Sequence, residues 1–369
     1  MSRDLLLVAL ALFTWGMGES AFFYFQPLYL EQLGATPIGI GAILGGVGVA
    51  MTVVHIPAGY LADRVGRRTL MRAAWLIGLI SALVMAFAKS LPVFTAGIFL
   101  YGVTSFVVSP MNSYITTARG KWSVGRAITL ISAAYNAGAV IGPLIGGTIG
   151  NRFGLHKIYQ FAACVFLLSN AIIFFIRRQP IEKQDQSTSK NGLLNRSFLR
   201  YLPLLFLAIF AMYISQPLTP NFLQNENGLS LGEIGTLGAI GSLGNVILSL
   251  LLGSLKSQMG FLLGQLSTGL FALFLWRGAG FPWFAAGYFL LGGYRAARGL
   301  AIAQVRALVR PSNMGLAYGI AETVGGTAII LAPLLAGFLY EYNPMWMYQA
   351  AIALVIVSVV MYIRFSEVR

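Results

Sequence analysis

The sequence predicts an all-α polytopic membrane protein: twelve transmembrane helices built as two six-helix bundles that repeat one another in parallel. Three observations predict it. Hydrophobic residues make up 57% of the 369-residue chain and charged residues only 10%, against roughly a quarter charged in a soluble domain. Such a chain lacks the polar groups to cover a water-facing surface, whereas lipid requires none. Twelve stretches are nearly free of Asp, Glu, Lys and Arg and can each supply the ~20 apolar residues of a membrane-spanning helix. A polar segment divides them six and six, and the two halves align.

The stretches run 5–30, 32–62, 73–88, 90–118, 127–151 and 158–176, then 201–225, 234–255, 257–276, 278–305, 311–340 and 342–363. The first follows Arg3 and continues to Leu30 without a small-residue cleavage pattern, so it reads as a span and not as a removed signal. Between the halves, Arg177 to Arg200 contains Gln184-Asp185-Gln186-Ser187-Thr188-Ser189, the composition of a solvated linker. The expected organisation is a six-helix bundle over 1–178, a cytoplasmic linker over 179–199 and a second bundle over 200–369. With the amino terminus inside, 19 of the 25 basic residues fall on cytoplasmic loops and ends, 4 fall outside, and Arg295 and Arg298 lie within a span. The positive-inside rule therefore places both termini in the cytoplasm, as in a multi-pass protein of the cell (inner) membrane. The same asymmetry accounts for the net charge of +14 as topology, so nucleic acid is not an expected partner.

Composition also limits the chemistry. A single cysteine, Cys164, excludes an internal disulfide and a cysteine-held metal cluster. His55 and His156 are the only histidines, too few for a histidine-rich zinc or haem site. No P-loop and no nucleophile–base motif occurs, so neither ATP nor enzymatic catalysis is expected. No cofactor and no metal are expected; the expected partners are a small-molecule substrate, protons and membrane lipid, with the chain a monomer.

Shifting the chain by 190 residues superimposes the halves. Residues 91–102 (LPVFTAGIFLYG) face 281–292 (FPWFAAGYFLLG) with seven identities. The register holds to Pro143-Leu144 opposite Pro333-Leu334, and Gln26-Pro27-Leu28 matches Gln216-Pro217-Leu218. An even number of spans separates the copies, so they insert the same way round, as in one class of secondary transporters.

Two motifs make the chain resemble the major facilitator superfamily. Between spans 2 and 3, Gly59-Tyr-Leu61-Ala-Asp63-Arg64-Val-Gly66-Arg67-Arg68 is similar to its signature loop. In span 5, Gly138-x-x-x-Gly142-Pro143-x-x-Gly146-Gly147 resembles the signature of its proton-coupled antiporters. The resemblance implies a twelve-helix carrier in which the first loop docks against the start of span 11, near Asn313 to Leu316, as a cytoplasmic latch. Glycines permit the tight reversal there, and Asp63 can face arginines or the positive amino end of a neighbouring helix. The span 5 glycines read as close-packing positions and Pro143 as a bend. One departure matters. Span 4 has Ser105 and Ser109 where such antiporters carry an arginine signature; a comparable pattern, Leu291-x-x-x-Arg295-x-x-Arg298-Gly299, lies on span 10.

Charges inside spans point to function by default, because each costs about 2.5–3.5 kcal/mol near midplane. They are Glu19, Arg295, Arg298 and Glu322. A rise of about 1.5 Å per residue places Glu19 and Arg295 near 24 and 21 Å from the cytoplasmic ends, and Arg298 and Glu322 near 16 and 14 Å. Depth thus matches Glu19 with Arg295 and Arg298 with Glu322. Helical spacing puts Glu19, Phe22, Phe23 and Gln26 on one face of span 1, and Ser105, Ser109 and Asn112 on one face of span 4. Tyr213 and Gln216 on span 7 join the expected substrate cavity with Gln26, Ser105, Ser109, Asn112, Arg295 and Arg298. Glu19 and Glu322 are the candidates for proton coupling. The expected activity is alternating-access antiport that exports a small organic or amphiphilic solute, with proton-coupled uptake of a neutral or anionic metabolite and a non-transporting receptor or scaffold as the alternatives.

Overall fold

The computed structural model describes residues 2–179, 196–309 and 314–367, with side chains described outside 55–64, 109, 315 and 366–367. Each of the twelve apolar stretches is largely helical over its described residues. Among the described residues, ten helices are long and apolar enough to cross a membrane, and an eleventh span results when 91–107 and 110–118 are joined across their 41° bend. The remaining stretch, span 10, is broken into Phe281–Leu291 and Gly293–Gln304.

The breaks follow the repeat. Span 4 passes from Leu91–Val103 through a 3-10 turn at Thr104–Val107, where the Thr104 hydroxyl donates to the carbonyl of Tyr101 at 2.7 Å. Span 10 breaks at Gly292, opposite Gly102 in the 190-residue register. Spans 1 and 7 break as well. Arg3–Phe23 gives way to the short helix Gln26–Gln32, and Arg196–Tyr213 to Thr219–Asn225. Proline at the second position of each short helix sets the new start, where its missing N–H costs nothing.

Contacts divide the chain into two compact units: Met1–Ala35, Val49–Asp185 and Leu229–Ala239 form one, and Thr36–Gly48, Gln186–Gly228 and Ile240–Arg369 form the other. In the first unit, Arg3–Phe23 packs along Val124–Phe153 (span 5) and Leu155–Ile173 (span 6), and Arg67–Phe87 (span 3) packs on span 6. An aromatic stack sits between them: Trp15 lies 4.4 Å from Phe166 at 13°, with Tyr101 6.0 Å from each. A buried polar chain ties three helices, as the Trp75 indole donates to Ser169 at 2.8 Å and Ser169 donates to the Ala11 carbonyl at 2.7 Å. In the second unit, Arg196–Tyr213 packs on Met314–Tyr342 (span 11) and Trp346–Glu367 (span 12), and Ser257–Arg277 (span 9) on both parts of span 10. Ser358 donates to Gln265 at 2.7 Å, both fully buried.

Glycine permits the tightest approaches. In unit one, a side chain on Gly235 would strike the carbonyl of Pro143, and one on Gly147 would stand 2.6 Å from the carbonyl of Leu231. In unit two, Gly41 meets Pro333 in the same way, and the backbone N–H of Ile38 donates to Glu341 at 3.2 Å. Gly66 starts span 3 at φ +86°, a conformation that side-chain-bearing residues rarely adopt. The outer surface carries large apolar side chains such as Phe87, Leu167, Leu250 and Ile356, as expected where lipid replaces water.

Candidate functional site

Each unit carries ionisable groups inside its spans, and the two sets are built differently. In unit one, Glu19 is half-buried on span 1. The Tyr135 hydroxyl on span 5 donates to its Oε2 at 2.8 Å. Tyr101, from span 4, stacks on Trp15 at 6.0 Å and interacts electrostatically with Glu19. A carboxylate thus stands among phenols at the edge of the aromatic stack.

In unit two, Arg298 Nη2 reaches Glu322 Oε2 at 3.1 Å, with side chains 37% and 53% exposed. This joins the pair matched by depth. Two tyrosines adjoin it: Tyr213 and Tyr294 stack at 5.7 Å and 28°, and both feel the charges of Arg295 and Arg298. Arg295 itself is exposed.

The shared faces expected from ideal helical spacing are redistributed. On span 1, Phe22 is buried at 1% in the aromatic cluster while Phe23 is 49% exposed, because consecutive residues of a helix point about 100° apart. Gln26 opens the next short helix and is buried at 7%. On span 4, the 3-10 turn changes the register between Ser105 and Asn112. Ser105 donates to the Met51 carbonyl at 3.1 Å, whereas Asn112 is exposed. Gln216 donates to the Met212 carbonyl at 2.7 Å, one turn back on its own segment.

The side chains of Asp63 and Arg64, the surroundings of Gly59, the side chain of Ser109, and Asn313 lie outside the described residues, as does most of the linker. Of the loop motif, Gly66 supplies the turn, Arg68 is half-buried, and Arg67 donates to the Thr117 hydroxyl at 3.0 Å. The span 5 motif divides its residues between two neighbours. Gly138, Gly142 and Gly146 face the backbone of span 1, and Pro143 and Gly147 face the start of span 8. Tyr135 and Tyr101 were not singled out by sequence reasoning. The available signal is that Tyr135 lies one turn before Gly138 on the same glycine row.

Two helical units in parallel repeat, with broken spans and a few charges held inside them, define the architecture of a polytopic carrier. The sequence model of the Major Facilitator Superfamily matches residues 8–211 and 201–369, and the chain belongs to that family. It is similar to an uncharacterised transporter of this type from Methanocaldococcus jannaschii, at 27% identity over 182 residues, covering 49% of this chain and 47% of the other. It is also similar to the multidrug resistance protein MdtG of Escherichia coli, at 30% over 194 residues, covering 50% and 47%. The chain thus spans about half the length of the curated relatives it matches. Solved structures with the same fold include a point mutant of the nucleoside transporter NupG (TM-score 0.85, 15% identity, 99% of each chain). A bacterial homologue of the lysosomal transporter Spinster shares it too (TM-score 0.78, 14% identity, 99% and 96%).

Proposed function

We propose that the protein is a secondary active transporter that exports a small organic or amphiphilic solute by alternating access in exchange for protons, with Glu19 as the proton carrier. The observation that carries this reading is a half-buried carboxylate inside a membrane helix, hydrogen-bonded by a phenol and flanked by aromatic rings. A group there can change its proton affinity as the environment of the cavity changes, which is what coupling requires. The span 5 glycine motif and the multidrug relative, matched over half its length, support export. The excess of basic residues on one side supports an inner-membrane protein with both termini in the cytoplasm. Arg295 and Arg298 on span 10 disfavour strongly cationic substrates, since repulsion grows in a low-dielectric cavity. Neutral, zwitterionic or anionic solutes fit better. Asp63 and the loop around it serve as the cytoplasmic latch in this reading.

Uptake is the second reading, and the Arg298–Glu322 pair favours it. Arg298 makes a single contact to Glu322 at 3.1 Å, so the guanidinium keeps donors for an anionic solute. Both readings are tested in proteoliposomes under an imposed pH gradient with a panel of labelled solutes. In Glu19→Gln, gradient-driven movement vanishes while exchange without a gradient survives. Continued accumulation by Glu19→Gln, with its loss in Glu322→Gln, transfers the coupling role to Glu322.

A further inference from the structure

We propose that Tyr135 is the positioning residue for Glu19, and that the glycine row of span 5 sets the register that brings its hydroxyl to the carboxylate. The inference rests on the reading of Glu19 as a titrating group.

The geometry is a parallel pair of helices in backbone contact. A side chain on Gly138 would overlap the carbonyl of Phe13, one on Gly142 the carbonyl of Met17 and the hydroxyl of Ser20, and one on Gly146 the carbonyl of Ala21. These contacts advance together along both helices, by four residues at each step, so neither helix can slide without forcing backbone into backbone. Span 1 contributes one glycine of its own to the row. A Cβ on Gly16 would overlap the Tyr135 carbonyl and stand 3.0 Å from the Tyr135 ring. The ring therefore crosses span 1 at Gly16, which offers no side chain, and its hydroxyl ends 2.8 Å from Glu19. Ser20, next along, is already committed, donating to the Gly16 carbonyl at 2.6 Å.

Among the described residues, the helices packed on span 1 bring two phenols to bear on Glu19, Tyr135 through its hydrogen bond and Tyr101 through its electrostatic interaction, while span 6 brings the apolar Phe166 to the same stack. A phenol donor favours the ionised carboxylate, because a protonated acid gains less from an incoming O–H. It also fixes which carboxylate oxygen remains turned away from span 5. Tyr135 thus acts through Glu19 and needs no contact with the solute. A Tyr135 that only packed against span 1 would leave the titration of Glu19 unmoved when its hydroxyl is removed.

The test follows the carboxyl band of the purified protein, reconstituted in liposomes, by infrared difference spectroscopy during acid titration. Glu19→Gln identifies the Glu19 component by its loss. In Tyr135→Phe the midpoint of that component moves up by about one pH unit, the size expected for one hydrogen bond to a charged group, with thermal stability near wild type. Gly16→Ala, which obstructs the ring and keeps the hydroxyl, moves the midpoint in the same direction. An unchanged midpoint in Tyr135→Phe overturns the inference, even where Glu19→Gln abolishes coupled transport and the functional reading stands. A carboxyl band that survives intact in Glu19→Gln overturns the inference and the proton-carrier reading together.

Discussion

The helix pair formed by spans 1 and 5 and the pair formed by spans 7 and 11 occupy the same places in the repeat, yet they close differently. A shift of 190 residues puts Gly138, Gly142 and Gly146 opposite Ala328, Ala332 and Ala336. The three glycines bring backbone against backbone, whereas the three alanines are fully buried, Ala328 in the core cluster with Ile209 and Met212 of span 7. The same shift puts Glu19 opposite Ile209 and Tyr135 opposite Gly325. There Ile209 is fully buried, and a side chain on Gly325 would come within 2.9 Å of its Cδ1. One pair has room for a carboxylate and its donor; the other is apolar at that level and keeps its ion pair between spans 10 and 11. A symmetric fold therefore does not imply symmetric chemistry. Backbone approach at the glycine row is what separates the two.

The comparison breaks most visibly if the carboxylate is moved. Ile209→Glu gives the second pair the acid of the first without its phenol, since Gly325 stands where Tyr135 would be. An unpaired charge at that fully buried site destabilises by about 2.5–3.5 kcal/mol. Thermal unfolding in detergent at neutral pH should show it, and stability should recover in part at low pH, where the acid becomes neutral. Wild-type stability at neutral pH would mean that the apolar seam tolerates a charge and that the contrast is false.

Exchanging the small residues has the next largest effect. Gly142→Ala places a methyl group on the Met17 carbonyl and the Ser20 hydroxyl, and the backbone cannot yield cheaply, so the loss is about 1–3 kcal/mol. The reverse change at the matching site, Ala332→Gly, removes one buried methyl group and loosens the helix, for about 1 kcal/mol. Melting temperatures of the two variants sharpen the comparison: equal small losses would show that the glycine row is no tighter than the alanine row. A third seam offers a control. Ser169→Ala leaves the buried Trp75 N–H without its acceptor at 2.8 Å and should lose about 1–3 kcal/mol, whatever the helix 1–5 spacing does.

Much of this architecture was legible in the chain. The absence of charge over long apolar stretches locates twelve helices, because lipid admits few other sequences. The depth of Arg298 and Glu322 could be counted from the rise per residue, and they do meet. The broken spans were not legible, since Gly292 in a glycine-rich membrane protein resembles any packing glycine, and Thr104 carries no turn signal. The partner of Glu19 was hidden for a different reason. Tyr135 lies 116 residues away, and its hydrogen bond depends on how closely two backbones approach, which periodicity does not encode. Nor could helical spacing carry the face of Glu19 on to Gln26 once the helix ended between them, and Phe22 and Phe23, about 100° apart as neighbours in a helix, divide between core and surface.

The smallest effect belongs to the charge pair of the second unit, and it decides which half handles protons. Arg298 and Glu322 touch through one contact at 3.1 Å, and their side chains are 37% and 53% exposed. Water screens such a pair, so its contribution to stability is about 0–1 kcal/mol. Glu322→Gln keeps an amide oxygen that can still accept from the guanidinium, which reduces the loss further. The melting temperature should therefore barely move. Transport is the discriminating measurement. With Glu19 as carrier, Glu322→Gln retains gradient-driven flux and changes chiefly the apparent affinity for anionic solutes, because Arg298 loses a competing carboxylate. A stable Glu322→Gln protein that binds solute but no longer responds to the pH gradient would reverse the assignment. The glycine-lined pair of the first unit would then be scaffold, and the alanine-lined half would carry the coupling through its exposed carboxylate.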